Sequence, residues 1–178
     1  MIDKQRIDEA QNNVRSYLAE GLLKKIVERD NKILRVLKKN SEESLRVADL
    51  LFKENISSLW VIVCSYYSMY YIANAVLYNL CYKIGHKISH KITADSLIVF
   101  VKDKLKQQLL EDYEEVKQDA SELALLGAEE IIKSFYLELD KRSRFQYTTS
   151  EFAKKTKAET SLKRAKIFIL EMEKLLLP

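Results

Sequence analysis

Residues that break secondary structure are almost missing from this chain: 178 residues hold three glycines and one proline, the last residue Pro178. Few tight turns and no interior proline kink argue against a turn-rich β architecture and favour helices with short connections. Cysteine is as scarce. Cys64 and Cys81 are too few for a disulfide framework and have no metal-ligand spacing, so they read as reduced thiols packed as small hydrophobes in a cytoplasmic protein. Histidine occurs twice, as His86 and His90. Two imidazoles four apart on a helix can share a metal, but no Asp, Glu or Cys close by completes a set and Gly85 favours a loop. Neither a metal nor another cofactor is expected. The opening MIDKQRIDEAQNN is charged and has no apolar signal core, so nothing marks secretion.

Charge is absent from one long stretch. From Asn55 to Tyr82 no side chain is ionised, although charged residues make up 31% of the chain. At about 1.5 Å rise per residue, a helix of that length spans roughly 40 Å, enough to cross a bilayer or to run through the centre of a bundle. Its side chains favour a protein interior. Tyr66, Tyr67, Tyr70, Tyr71 and Tyr78 lie through its middle rather than at its two ends, with Ser65, Ser68 and Asn74 between them, and buried phenols need hydrogen-bond partners that neighbouring helices supply. A core helix with no membrane contact is therefore expected.

The net charge of +4 conceals an asymmetry. Residues 111–130 hold eight acidic side chains against Lys117 alone, whereas residues 141–166 hold nine basic ones against Glu151 and Glu159. A basic concentration of this kind can bind phosphate, and it is also what a solvated helix face looks like.

Apolar periodicity gives the rest of the order. A first helical pattern runs from about Asp3 to Lys39, with a bend or break expected at Gly21 and a basic second half. Asn40 or Ser41 is read as the cap of a helix ending near Glu54. The uncharged central helix follows. KIGHKISHKIT then reads as a loop, with Thr93 or Asp95 capping a helix whose Leu97, Ile98, Val101, Leu105 and Leu109 form one face. EDYEEVKQDASE reads as the outside of a bend. From Ser121 a helix resumes as far as the basic KRSR cluster, RFQYTTSEF reads as a turn or short extended piece, and a last helix runs from about Lys157 to Leu177. The sum is an all-α, up-and-down bundle of five to six helices, with residues 1–39 as a helical extension and 40–178 as the bundle.

SEESLRVADLL, SYYSMYYIANAVL, GHKISHK and RSRFQY occur in the order seen in one known group, and the chain resembles the HEPN domain proteins of bacteria and archaea over roughly Asn40 to Leu177. YYSMYYIANAVL is similar to the family's Tyr-Tyr-Ala-Met helix, and RSRFQY to its Arg-x-x-Ala-Asp-Tyr element. The resemblance implies a helical bundle that commonly forms a homodimer and acts on or binds RNA or nucleotides. Many members are metal-independent ribonucleases, often toxins paired with a small nucleotidyltransferase antitoxin. Their signature is Arg followed four to six residues later by His, in which a cation stabilises the phosphorane charge and an imidazole moves the proton of the attacking 2′-hydroxyl.

That motif is incomplete here. Counting from Arg142, the histidine positions hold Tyr147, Thr148 and Thr149, and no histidine follows His90. The expected site therefore has Arg142 and Tyr147 as catalytic candidates and Lys141, Arg142 and Arg144 as phosphate ligands. Tyr66, Tyr67 and His90 are expected to form the wall of a cleft. Each has a plainer alternative: the arginines as helix C-terminal cations, Tyr147 as a packed anchor, the tyrosines as core residues. Three functions remain open on the sequence: an RNA- or nucleotide-binding module, an endoribonuclease toxin, and a helical bundle that docks a partner protein.

Overall fold

In the computed structural model, which describes residues 2–136 and 147–177 and the side chains among them up to residue 122 and from residue 154 onward, the chain is an all-α helical bundle with one very small sheet. Six helices are described: α1 (Lys4–Ala19), α2 (Asn31–Lys53), α3 (Ser58–Asn79), α4 (Ser89–Phe100), α5 (Gln107–Tyr136) and α6 (Tyr147–Lys174). Strands β1 (Leu23–Lys25) and β2 (Tyr82–Ile84) pair antiparallel, with Leu23 opposite Ile84.

The uncharged run forms α3, and α2, α4, α5 and α6 all pack against it. Ser57 starts it by accepting a hydrogen bond from the Trp60 N–H at 3.3 Å. Val61, Ile62, Met69, Ile72, Val76 and Leu77 are buried along its length, each contributing about 1.5–3 kcal/mol by leaving water. Among the described residues α3 is the one helix long and apolar enough to cross a membrane, and most of it is covered by the rest of the chain. Its polar groups are turned to packing contacts. The buried Ser41 hydroxyl on α2 donates to the Ser68 carbonyl at 2.7 Å, and Asn74 Nδ2 reaches the Tyr70 carbonyl and Thr93 Oγ1.

Several boundaries differ from the sequence reading. Gly21 does end the first helix, with a left-handed φ of 71° that glycine adopts without a Cβ clash, but a strand follows it rather than more helix. Asp30, not Asn40 or Ser41, caps α2, accepting from the Lys32 N–H at 2.7 Å. Asn40 and Ser41 fall inside that helix, and so does the boundary expected at residue 39. Thr93 and Asp95 likewise lie within α4, fully buried rather than at its start. EDYEEVKQDASE is not a bend: it is continuous with α5, where Tyr113, Val116 and Ala120 are buried on one face. The break between helices comes earlier, at a 3₁₀ turn over Lys102–Lys104. The last helix begins at Tyr147, ten residues before the expected Lys157, so the Thr-Thr-Ser run is helical.

Residues 2–30 build a second wall. Val14, Tyr17 and Leu23 form a small apolar cluster with Ile92 of α4, beside the stacked rings of Tyr82 and Phe100 at 4.0 Å. Beyond β2, the Gly85 N–H donates to the Leu22 carbonyl at 2.8 Å, and a Cβ at Gly85 would stand 3.0 Å from that oxygen. The opposite charge runs face each other across α5 and α6. Arg164 meets Asp112 at 3.0 Å and Glu115 at 2.8 Å, and Lys157 meets Asp119 at 2.7 Å.

Candidate functional site

On α3 the helical period brings Tyr66, Tyr67, Tyr70 and Tyr71 to one face at mid-helix, where the first turn of α4 delivers His90. The imidazole packs among three of these phenols, with ring centroids 4.4 Å from Tyr70, 5.5 Å from Tyr66 and 5.8 Å from Tyr67. Tyr66 Oη lies 2.7 Å from His90 Nδ1, a hydrogen bond whose donor depends on the ring's tautomer. Tyr66 is buried, whereas Tyr67 keeps 38% of its surface open to solvent beside the half-buried His90.

The electrostatics keep this cluster neutral. Burial, and then the positive charge of Lys117, push the His90 imidazole below its ordinary value. At neutral pH the ring is therefore uncharged, with one N–H and one lone pair. Burial raises the Tyr66 phenol, which stays protonated as a hydrogen-bond partner. Tyr113 of α5 packs 5.9 Å from Tyr66 and is fully buried, and burial pushes its phenol well up.

Next to the aromatic cluster runs a chain of charges that pattern alone does not reveal. Asp95 of α4 is fully buried and accepts from the Tyr17 hydroxyl at 2.8 Å and from Asn13 Nδ2 at 3.1 Å. Arg6 Nη2 stands 2.7 Å from Asp95 Oδ1 and 3.1 Å from Glu114 Oε1, and Glu114 Oε2 holds the Lys117 ammonium at 2.7 Å. Such a buried carboxylate needs these partners, since an unpaired charge in the interior costs several kcal/mol. A cleft of about 690 Å³ opens along this chain, lined by Arg6, Glu114, Lys117, Gln118 and Ser121 among others.

The structure thus brings together Tyr66, Tyr67 and His90, with His90 on a helix rather than a loop. Lys141, Arg142 and Arg144 lie outside the described residues. Tyr147 is the first residue of α6, and its side chain also lies outside them. No group of three His, Cys, Asp or Glu placed to hold a metal occurs among the described residues. Sequence reasoning missed Arg6, Asp95, Glu114 and Lys117. Asp95 did leave a signal, as the one charged residue between Lys91 and Lys102 in an otherwise apolar helix. The cationic run is partly committed elsewhere: Lys157 and Arg164 are held by α5 carboxylates and Lys166 by Asp49. No family model, no curated protein and no solved structure matches this chain.

Proposed function

We propose that this chain is a HEPN-like, cytoplasmic RNA- or nucleotide-binding module that uses the open face of the Tyr66–Tyr67–Tyr70–His90 cluster to hold a base. The observation that carries the reading is the exposed Tyr67 ring standing edge-on to the half-buried, uncharged His90. Aromatic rings at a protein surface offer nucleobases a stacking platform that tolerates any sequence, and nearby cations supply salt-sensitive attraction to the backbone. The resemblance of YYSMYYIANAVL and RSRFQY to the family's elements supports the same class of ligand, with Lys141, Arg142 and Arg144 as further phosphate ligands. A homodimer and a nucleotidyltransferase partner belong to this reading through the resemblance. Binding of a labelled single-stranded RNA tests it: the affinity falls steeply as salt rises, and falls again in Tyr67→Ala. Loss of neither kind refutes it.

A second reading, a metal-independent endoribonuclease, is favoured by the state of His90. An uncharged imidazole oriented by the Tyr66 hydroxyl has the lone pair that proton abstraction from a ribose 2′-hydroxyl needs. In this reading His90 stands in for the histidine missing after Arg142, with Arg142 or Tyr147 as its partner. RNA incubated with the protein in EDTA is cleaved, and His90→Ala abolishes cleavage. Intact RNA with the wild type removes this reading and leaves the binding module.

A further inference from the structure

Lys117 lies one helical turn beyond Tyr113 on α5, and the Tyr113 ring packs against that of Tyr66. Residues four apart on a helix share a face, so Lys117 is carried alongside the Tyr66–His90 pair. It also lines the cleft bounded by Arg6, Glu114 and Gln118. Its ammonium is held rather than free to sweep. Glu114 Oε2 grips it at 2.7 Å, and the other Glu114 oxygen is fixed by Arg6, itself set against the buried Asp95.

An ammonium has three N–H groups, and Glu114 engages one of them. The acidic residues farther along the cleft do not compete for the others. Glu115 is paired with Arg164, and Glu111 accepts from the Ile2 N–H and from Gln107. On the side toward His90 stand Tyr66 and Tyr113, whose phenols burial holds in the neutral form.

We infer that Lys117 and His90 form a phosphate subsite, placed so that a nucleotide whose base lies on Tyr67 sets its phosphate between the ammonium and the imidazole. This deepens the nucleotide-binding reading above and rests on it. It assigns to α4 and α5 a phosphate contact independent of Arg142 and Arg144. An oxyanion drawn close to His90 also offsets the repulsion that Lys117 exerts on the protonated ring, so occupancy and imidazole protonation favour each other.

Two histidines make the test simple, because the His90 imidazole signal is followed by nuclear magnetic resonance with His86 as the internal reference. The full chain is titrated with adenosine and with adenosine monophosphate. The expected result is that the monophosphate binds about tenfold more tightly than adenosine and shifts the His90 signal. Lys117→Gln removes that preference and Lys117→Arg retains it, while both variants melt as the wild type does. A preference that survives Lys117→Gln overturns the subsite and leaves the base platform standing. If neither compound binds, both the subsite and the nucleotide-binding reading fall.

Discussion

The Tyr17 hydroxyl on α1 donates a 2.8 Å hydrogen bond to Oδ2 of Asp95, a fully buried carboxylate on α4. This contact, with those of Asn13 and Arg6 to the same carboxylate, ties the N-terminal helix to the wall that carries His90. Tyr17→Phe keeps the ring and removes one hydrogen bond to a charged group, a loss of about 1.5–3 kcal/mol in stability. Urea denaturation checks the value. A change under about 0.5 kcal/mol shows that α1 is not keyed to the bundle in this way.

Acid weakens the fold through His90. Its folded value lies below the ordinary 6.5, so between the two values the unfolded chain binds more protons than the folded one. The stability associated with a neutral His90 is complete above about pH 6.5 and declines as pH falls through the folded value. Tyr66, Tyr67 and Tyr70 surround the ring, and Lys117 is the charge that acts on it. Unfolding midpoints measured from pH 8 to pH 5 for the wild type and His90→Gln isolate the contribution. The wild type loses more than the variant, and parallel curves contradict the assignment.

Ile88 precedes the helix that carries His90 and holds φ 43°, ψ 30°, a left-handed conformation that a β-branched residue adopts only at a cost of about 1–2 kcal/mol. Its side chain is exposed, so little burial offsets that cost. Ile88→Gly relieves the strain and pays back part of it in chain entropy, leaving a stabilisation of about 0.5–1 kcal/mol. Thermal melting reads it directly. A lower melting temperature means that the Ile88 side chain makes a contact worth more than the strain.

Lys157 bridges to Asp119 on the α5–α6 surface. Lys157→Gln therefore costs less than about 1 kcal/mol of stability, as exposed ion pairs do. It also leaves RNA affinity within about twofold, because the proposed base and phosphate contacts are made by Tyr67, His90 and Lys117 instead. Filter binding at fixed salt checks this, and a fall of tenfold or more assigns Lys157 to the nucleic-acid surface instead.

Composition made the bundle legible. A chain almost free of glycine and proline with one long uncharged run has few alternatives to helices packed around that run, and α3 occupies that place. The cap of α2 was misread because Asn40 and Ser41 have good capping chemistry, yet Asp30 lies ten residues upstream of Asn40 and continuous helix follows it. The acidic segment was taken for a bend because its charges hide the apolar positions Tyr113, Val116 and Ala120, whose partners on α3 and α6 lie far away in sequence. β1 and β2, three residues each, are too short for any alternation to show.

The candidate site divides along the same line. Tyr66 and Tyr67 stood out as phenols in an uncharged helix, and His90 as one of two histidines, so composition alone drew attention to them. Arg6, Glu114 and Lys117 look like ordinary surface charges until Asp95 is placed within reach of Arg6, and such a contact spans about ninety residues of sequence that periodicity cannot bridge.

Binding of single-stranded RNA to Tyr67→Ala, compared with the wild type at low and moderate salt, bears most directly on the proposed function. Removing the exposed ring takes away a stacking contact of about 1–3 kcal/mol, so affinity falls roughly five- to hundredfold with the melting temperature unchanged. Equal binding by the two proteins, or no binding by the wild type at either salt, contradicts a nucleotide platform on the Tyr67–His90 face.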